Sequence, residues 1–308
     1  MLALDFLRRI GACSLIVALS TAAVHAEDKP AAKKEQPAAA EKAAKPETEK
    51  PATKKPDAKQ ADAKKPEGKK KPAAKVSRED VSGKKWDEPK IVTPGENGGP
   101  PSDAIVLFEG KNLDEWVNTR DKSPAGWTVA DGVLTVNKRA GNIETKRTFR
   151  SYQLHVEWLI PTHITGDGQS RGNSGVFLAS TGPGDAGYEI QVLDSFGNKT
   201  YVNGQAGSIY KQHIPLVNAS RKPGEWQSYD ISWTASVWNA DGSLKSPAYI
   251  TAFHNGVLIQ NHVELAGETV YIGKPAYKQY DRAPIKLQAH GDPSPAISFR
   301  NIWVRELK

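Results

Sequence analysis

From about residue 102 to the C-terminus the chain alternates apolar and polar residues in short runs separated by turn signals. The runs are AIVLF, GWTVADGVLTV, YQLHVEWLI, SGVFLAS, YEIQVLD, YDISWTA, AYITAFHNGVLIQ, IKLQAH and AISFRNIWV. Side chains in a strand point to opposite faces with a period of two, and none of these runs sustains a helical period. Asp131-Gly132 and Asn255-Gly256 each sit between two runs as a two-residue hairpin turn. Many short strands at this spacing predict an all-β fold, an antiparallel two-sheet sandwich of jelly-roll type.

Alternation also sorts the side chains. Tyr188, Ile190 and Val192 fall on one face of their strand, with Glu189 and Gln191 on the other. Leu154, Val156 and Trp158 oppose Gln153, His155 and Glu157, while Ile285 and Leu287 oppose Lys286, Gln288 and His290. The expected core is therefore Leu154, Val156, Val176, Leu178, Ile190, Val192, Leu287 and Phe299. The polar faces offer Gln, His and Glu, which bind hydroxyls or move protons, and not the Lys, Thr and Ser of an ordinary wet face. In RGNSGVFLAS, residues 171–180, two glycines and Asn173 lead into a strand. Gly172 and Gly175 would let backbone approach a ligand closely, or mark a bulge.

Composition changes the picture only for the N-terminal third. Residues 1–26 carry Arg8 and Arg9, an apolar run from Ile10 to Leu19 and small residues ending at Ala26, the pattern of a secretory leader too short to span a membrane. The only cysteine, Cys13, lies within it, so an exported chain, periplasmic or extracellular, would have no disulfide. Residues 27–75 contain 15 Lys, 13 Ala and 7 Pro, with no aromatic residue and no Val, Leu or Ile. Such a segment cannot bury enough apolar surface to fold and is expected to be disordered; with the irregular lead-in of residues 76–101 it makes up residues 27–101, the disordered tail and lead-in ahead of a sandwich domain over residues 102–308. The net charge of +7 belongs to the leader and tail, because residues 76–308 hold 25 basic and 25 acidic side chains. The lysines make the tail a spacer or an attachment to an anionic envelope polymer. No nucleic-acid stripe, nucleotide loop or GxSxG elbow is present.

Seven stretches, LFEGKNLDEW, GNSGVFL, YEIQVLD, GSIY, PGEWQSYDI, NGVLI and LQAHGDPSPAISFRNIWV, occur here in order over about residues 104–308. In this the chain resembles the 3-keto-disaccharide hydrolase family. The resemblance implies a concanavalin A-like lectin/glucanase sandwich and a carbohydrate substrate cleaved beside a C3 ketone. A base removes the acidified C2 proton, the enolate expels the C1 substituent, and water adds back. On that route Glu189 or His290 would be the base, Arg300 or a bound cation the enolate stabiliser, and Glu157 or Asp194 the acid. Asn173, Gln191, Gln288, Arg171 and Tyr210 would bind substrate. Where the family commonly shows Arg after SGVFL this chain has Ala179, so that role passes to Arg171 or Arg300 or lapses. No cofactor is required on this reading; calcium or another divalent cation could bind, with TGPGDAG supplying one acid. A non-catalytic carbohydrate-binding module and an envelope scaffold are the alternatives, since fold does not fix function.

Overall fold

The computed structural model describes residues 87–307, together with Gly83. The expected leader and the Lys/Ala/Pro-rich segment lie outside the described residues. Fifteen strands follow in chain order: β1 Ile105–Phe108, β2 Trp116–Asn118, β3 Thr128–Ala130, β4 Val133–Thr135, β5 Ile143–Thr145, β6 Tyr152–Leu159, β7 Ser174–Ser180, β8 Gly187–Val192, β9 Trp226–Thr234, β10 Val237–Trp238, β11 Leu244–Ser246, β12 Tyr249–His254, β13 Val257–Glu264, β14 Lys286–Leu287 and β15 Ser298–Glu306. Helix among the described residues is limited to two 3₁₀ turns, Gly168–Ser170 and Val202–Gly204. None is long and apolar enough to cross a membrane.

All pairings are antiparallel, and two sheets carry the fold. One has eight strands, in the order β13-β12-β9-β6-β15-β4-β3, with β1 also on β15; the other has five, in the order β2-β5-β14-β7-β8. Both expected hairpins form. Asp131 and Gly132 have φ of 50° and 78°, and Asn255 and Gly256 have 52° and 79°. This left-handed pair is the turn whose twist matches that of the flanking strands, and asparagine, aspartate and glycine tolerate it best.

The inward side chains of both sheets meet in one core. All eight residues expected there are buried, with Ile190, Val192, Leu154 and Val156 fully so. Two inward tyrosines of the eight-stranded sheet reach across it. Tyr152 on β6 donates its hydroxyl to the Leu178 carbonyl of β7, and Tyr229 on β9 donates to the Gln191 carbonyl of β8 at 2.7 Å. A hydroxyl buried in a core costs free energy unless it finds such a partner, and here the partner is backbone directly beneath the five-stranded sheet's outer face.

Two local departures from alternation matter. On β15, Asn301 and Ile302 together oppose the single Val156 of β6, between the pairs Arg300–Glu157 and Trp303–His155, with Asn301 at φ 46°. This bulge shifts the phase, so Phe299, Ile302 and Val304 all point inward while Arg300, Trp303 and Arg305 point outward. Lys286, on the expected wet face of β14, is fully buried. The 181–186 loop folds over it, and the carbonyls of Gly182, Gly184 and Ala186 accept from its Nζ at 3.2, 2.9 and 2.6 Å.

Candidate functional site

Two rows of side chains cross the outer face of the five-stranded sheet. Register places Glu189 opposite Phe177 and Phe177 opposite Lys286; Gln191 lies opposite Gly175, whose carbonyl accepts from the Gln288 backbone. These rows floor a cavity of about 530 Å³ lined by Glu189, Gln191, Gln288, His290, Asn173 and Tyr210, with Gln169, Asp185, Tyr201, Thr269 and Tyr271 completing it.

Glu189 is 5% exposed, and among the described residues its carboxyl makes no hydrogen bond. Burial, reinforced by the Asp185 carboxylate and only partly offset by the Lys286 ammonium, pushes it up to about 8. Burial in turn brings Lys286 down to about 8, against the pull of Glu144, Asp185 and Glu189. The glycine that opened the strand now has its reason. A Cβ on Gly175 would lie 2.3 Å from Glu189 Oε1, so the missing side chain is the space the carboxyl occupies. Gly172, at φ +62°, would meet Ile160 Cδ1 at 2.7 Å, and its N–H donates to Ser294 Oγ at 2.9 Å. Both glycines serve the protein's own packing, which corrects the reading that they admit a ligand to the backbone.

His290 faces Glu189's cavity from the strand end beyond β14. Its Nδ1 lies 3.0 Å from Asp292 Oδ2, which fixes the ring and leaves Nε2 toward Asn173, 3.5 Å away. Asp292 is itself held by Ser294 and by Lys138 at 3.1 Å. Burial alone would raise this carboxyl, but hydrogen bonds from His290, Ser294 and Lys138 overcome that and bring it down to about 2. A permanently charged Asp behind a histidine is an orienting arrangement for proton transfer. Gln191 Nε2 donates to Asn173 Oδ1 at 2.8 Å, and Asn173 Nδ2 to the Gln169 carbonyl at 2.9 Å. Gln288, by contrast, makes no side-chain hydrogen bond among the described residues, and its Oε1 is buried without a partner. At the rim the Tyr201 and Tyr210 hydroxyls bond at 2.6 Å, with Lys211 Nζ 3.8 Å above the Tyr201 ring. Burial and that bond together raise the Tyr210 hydroxyl above its ordinary range.

Six of the ten expected site residues thus share one cavity, and four do not. Glu157 and Arg300 belong to β6 and β15 of the eight-stranded sheet, whose polar face points away from this cavity, and they pair with each other at 2.6 Å. Alternation had the face right but not which sheet the strand joins. Asp194 is fully buried, accepting from Arg171 Nε at 2.6 Å and from the Phe196 N–H at 3.1 Å, so this pair braces a loop beside the cavity. Neither Arg171 nor Arg300 lies in this cavity to replace the arginine absent at Ala179; Lys286 is a cation on this sheet's face. Sequence reasoning passed over Asp292, although its spacing two residues after His290 is a usable signal. Tyr201, Thr269 and Tyr271 sit on loops with no periodicity to mark them. Among the described residues no three His, Cys, Asp or Glu side chains come together as a metal cluster. The loop considered for calcium folds over Lys286.

The profile of the 3-keto-alpha-glucoside-1,2-lyase-like domain matches residues 103–305. The chain belongs to this family. A crystal structure from Parabacteroides distasonis ATCC 8503 named a "putative glycosyl hydrolase" is 52% identical, with a TM-score of 0.68, covering 73% of this chain and 95% of that one. A second structure of the same name and organism, 19% identical with a TM-score of 0.50, covers 67% and 94% and shares the fold. A comparison with curated proteins found no match. Family and 52% identical neighbour together support a carbohydrate-active, glycosyl hydrolase-like role.

Proposed function

We propose that this protein cleaves 3-keto-glycosides in the Glu189 cavity by elimination followed by hydration. The observation that carries the reading is a buried carboxyl without a hydrogen-bond partner, sharing with an oriented histidine a cavity lined besides by amides, hydroxyls and Asp185. Ordinary glycoside hydrolysis asks for two carboxyl groups flanking the bond. Here the second carboxyl at the cavity is Asp185, hydrogen bonded to Asn142 at 3.1 Å. A ketone at C3 removes that demand, because it acidifies the C2 proton enough for a single base.

Glu189, as carboxylate, takes the C2 proton, and the C–H electrons pass to the C3 oxygen as an enolate. The free amide of Gln288 is the donor best disposed to that oxygen. As the enolate collapses, C1–C2 becomes a double bond and the C1–O bond breaks. His290, its ring held by Asp292, gives a proton to the departing oxygen. Water then adds across C1–C2, its hydroxyl to C1 and a proton to C2, regenerating the 3-keto sugar as the free hemiacetal. Nothing is oxidised or reduced overall. The Asn173–Gln191 pair would meet sugar hydroxyls, and the Tyr201–Tyr210 rim the leaving group.

The test is incubation of the purified protein with a 3-keto-disaccharide and with its unoxidised parent, following monosaccharide release and the transient absorbance of the enone. Cleavage of the oxidised sugar alone, with a primary isotope effect from deuterium at C2, is expected. Equal cleavage of both sugars, or of neither while binding persists, would overturn the mechanism, and the latter would leave a binding module.

A further inference from the structure

A second cavity of about 760 Å³, larger than that of Glu189, lies on the outer face of the eight-stranded sheet and is walled by lead-in residues between Val92 and Pro101. A chain of polar groups crosses its floor. Asp230 Oδ1 on β9 lies 2.6 Å from His155 Nδ1 on β6, and His155 Nε2 lies 3.5 Å from Glu157 Oε1. Glu157 accepts from Arg300 Nε at 2.6 Å and Asn301 Nδ2 at 2.8 Å, and the Arg300 guanidinium stacks 4.1 Å over Trp226. Burial would raise Glu157, but the Asn301 and Arg300 bonds outweigh it and hold the carboxylate below its ordinary range.

This floor is assembled by a device, not by regular alternation. The bulge at Asn301 turns Trp303 outward, where its ring stacks on His155 at 5.4 Å and 11°. Bulges that re-aim side chains cluster at functional sites. The lead-in is pinned over the same spot, for the Gly98 carbonyl accepts from both Asn301 and Trp303 at 3.0 Å.

Unused hydrogen-bonding capacity points to the ligand. Among the described residues the second oxygen of Asp230, both terminal nitrogens of Arg300 and the whole Gln153 amide make no hydrogen bond, and the buried His155 Nε2 has no hydrogen-bond partner either. Donors and acceptors therefore alternate along the floor. Each sugar hydroxyl donates and accepts at once, so such a row suits it. An anion would meet Glu157 and Asp230, and a cation would meet Arg221, Arg300 and Arg305. We propose that this groove is a second, non-catalytic binding site for uncharged, hydroxyl-rich sugar units of a polysaccharide, on the sheet opposite the Glu189 cavity.

The inference does not rest on the 3-keto chemistry. It is tested by affinity electrophoresis of the full chain through gels containing dextran, laminarin or arabinoxylan. At least one polymer should retard the protein, and the Gln153→Ala/Asp230→Asn double variant should raise the dissociation constant for it at least tenfold. Gln191→Ala, in the other cavity, should migrate like the parent. If the double variant melts well below the parent, Gln153→Ala alone decides, because that amide holds nothing in place. Absence of retardation by all three polymers would overturn the proposal. So would retardation lost with Gln191→Ala and kept in the Gln153 and Asp230 variants.

Discussion

The outer faces of the two sheets carry similar residues in opposite electrostatic conditions. On the eight-stranded sheet Glu157 is surrounded by donors, with Arg300 and Asn301 within 2.8 Å, and its carboxylate is held charged. On the five-stranded sheet Glu189 is more deeply buried, has no donor, and is pushed up to about 8. A carboxylate already satisfied has little reason to take a proton, whereas one kept from its partners is ready to exchange it near neutral pH. What separates a binding surface from a proton-transfer site here is who stands opposite the glutamate, not the glutamate.

That contrast breaks first, and most, at Glu189. Replacing it with Gln keeps size and removes the base, so kcat on a 3-keto-glycoside should fall about 10²–10⁴-fold with KM little changed. Steady-state kinetics showing full turnover would transfer the role elsewhere. For the parent, kcat/KM should rise with pH through about 8, as the carboxylate forms. Stability carries the same signature. A carboxyl whose folded value is raised binds its proton more tightly when folded, so its contribution is full below about pH 4.3, the ordinary Glu value, and is lost as pH rises to about 8. Melting curves of the parent relative to Glu189→Gln should therefore diverge over that window, by an amount on the order of a few kcal/mol. Lys286 acts in the opposite sense above about pH 8, and it is common to both proteins.

Ile190, which backs the same strand from the core, should cost about 2–5 kcal/mol when cut to Ala, because the cavity it leaves is fully enclosed. Chemical denaturation measures this, and an unchanged midpoint would mean the two faces of β8 had been exchanged. Gly175→Ala sharpens the comparison more narrowly. The new methyl must displace the Glu189 carboxyl, costing about 1–3 kcal/mol and lowering kcat without removing any catalytic group. A crystal structure with Glu189 unmoved would refute it. The smallest effect on turnover is expected from Glu157→Gln, whose single acceptor oxygen keeps only one of the bonds from Asn301 and Arg300, at a cost in stability of about 1–3 kcal/mol. Its turnover should stay within about twofold of the parent, since β6 faces away from the cavity.

Much of this was legible in the residues. The two hairpin turns, the core and the face of every ionisable side chain on β6, β8 and β14 follow from period-two alternation and from Asp-Gly and Asn-Gly. Alternation is local, however, and carries no label for the sheet a strand will join, which is why Glu157 and Arg300 were grouped with Glu189. Burial of polar residues was equally hidden. Lys286 looks like a wet-face lysine until the 181–186 loop, which has no pattern of its own, wraps its ammonium in carbonyls. The tyrosine rim belongs to the same class, brought together by loops distant in sequence.

The extra residue at Asn301 has a consequence for mutation by length instead of by side chain. Removing Asn301 would restore strict alternation along β15 and leave every position beyond it on its present side. Ile302 and Val304 would stay beside the core and Trp303 outside it, whereas removing Trp303 from the regular stretch beyond the bulge would exchange inside for outside over the rest of the strand. A single-codon deletion of Asn301 is thus expected to be far less damaging than one of Trp303, and deletion scanning read out by soluble expression would show the strand's C-terminal half as a reading frame in three dimensions.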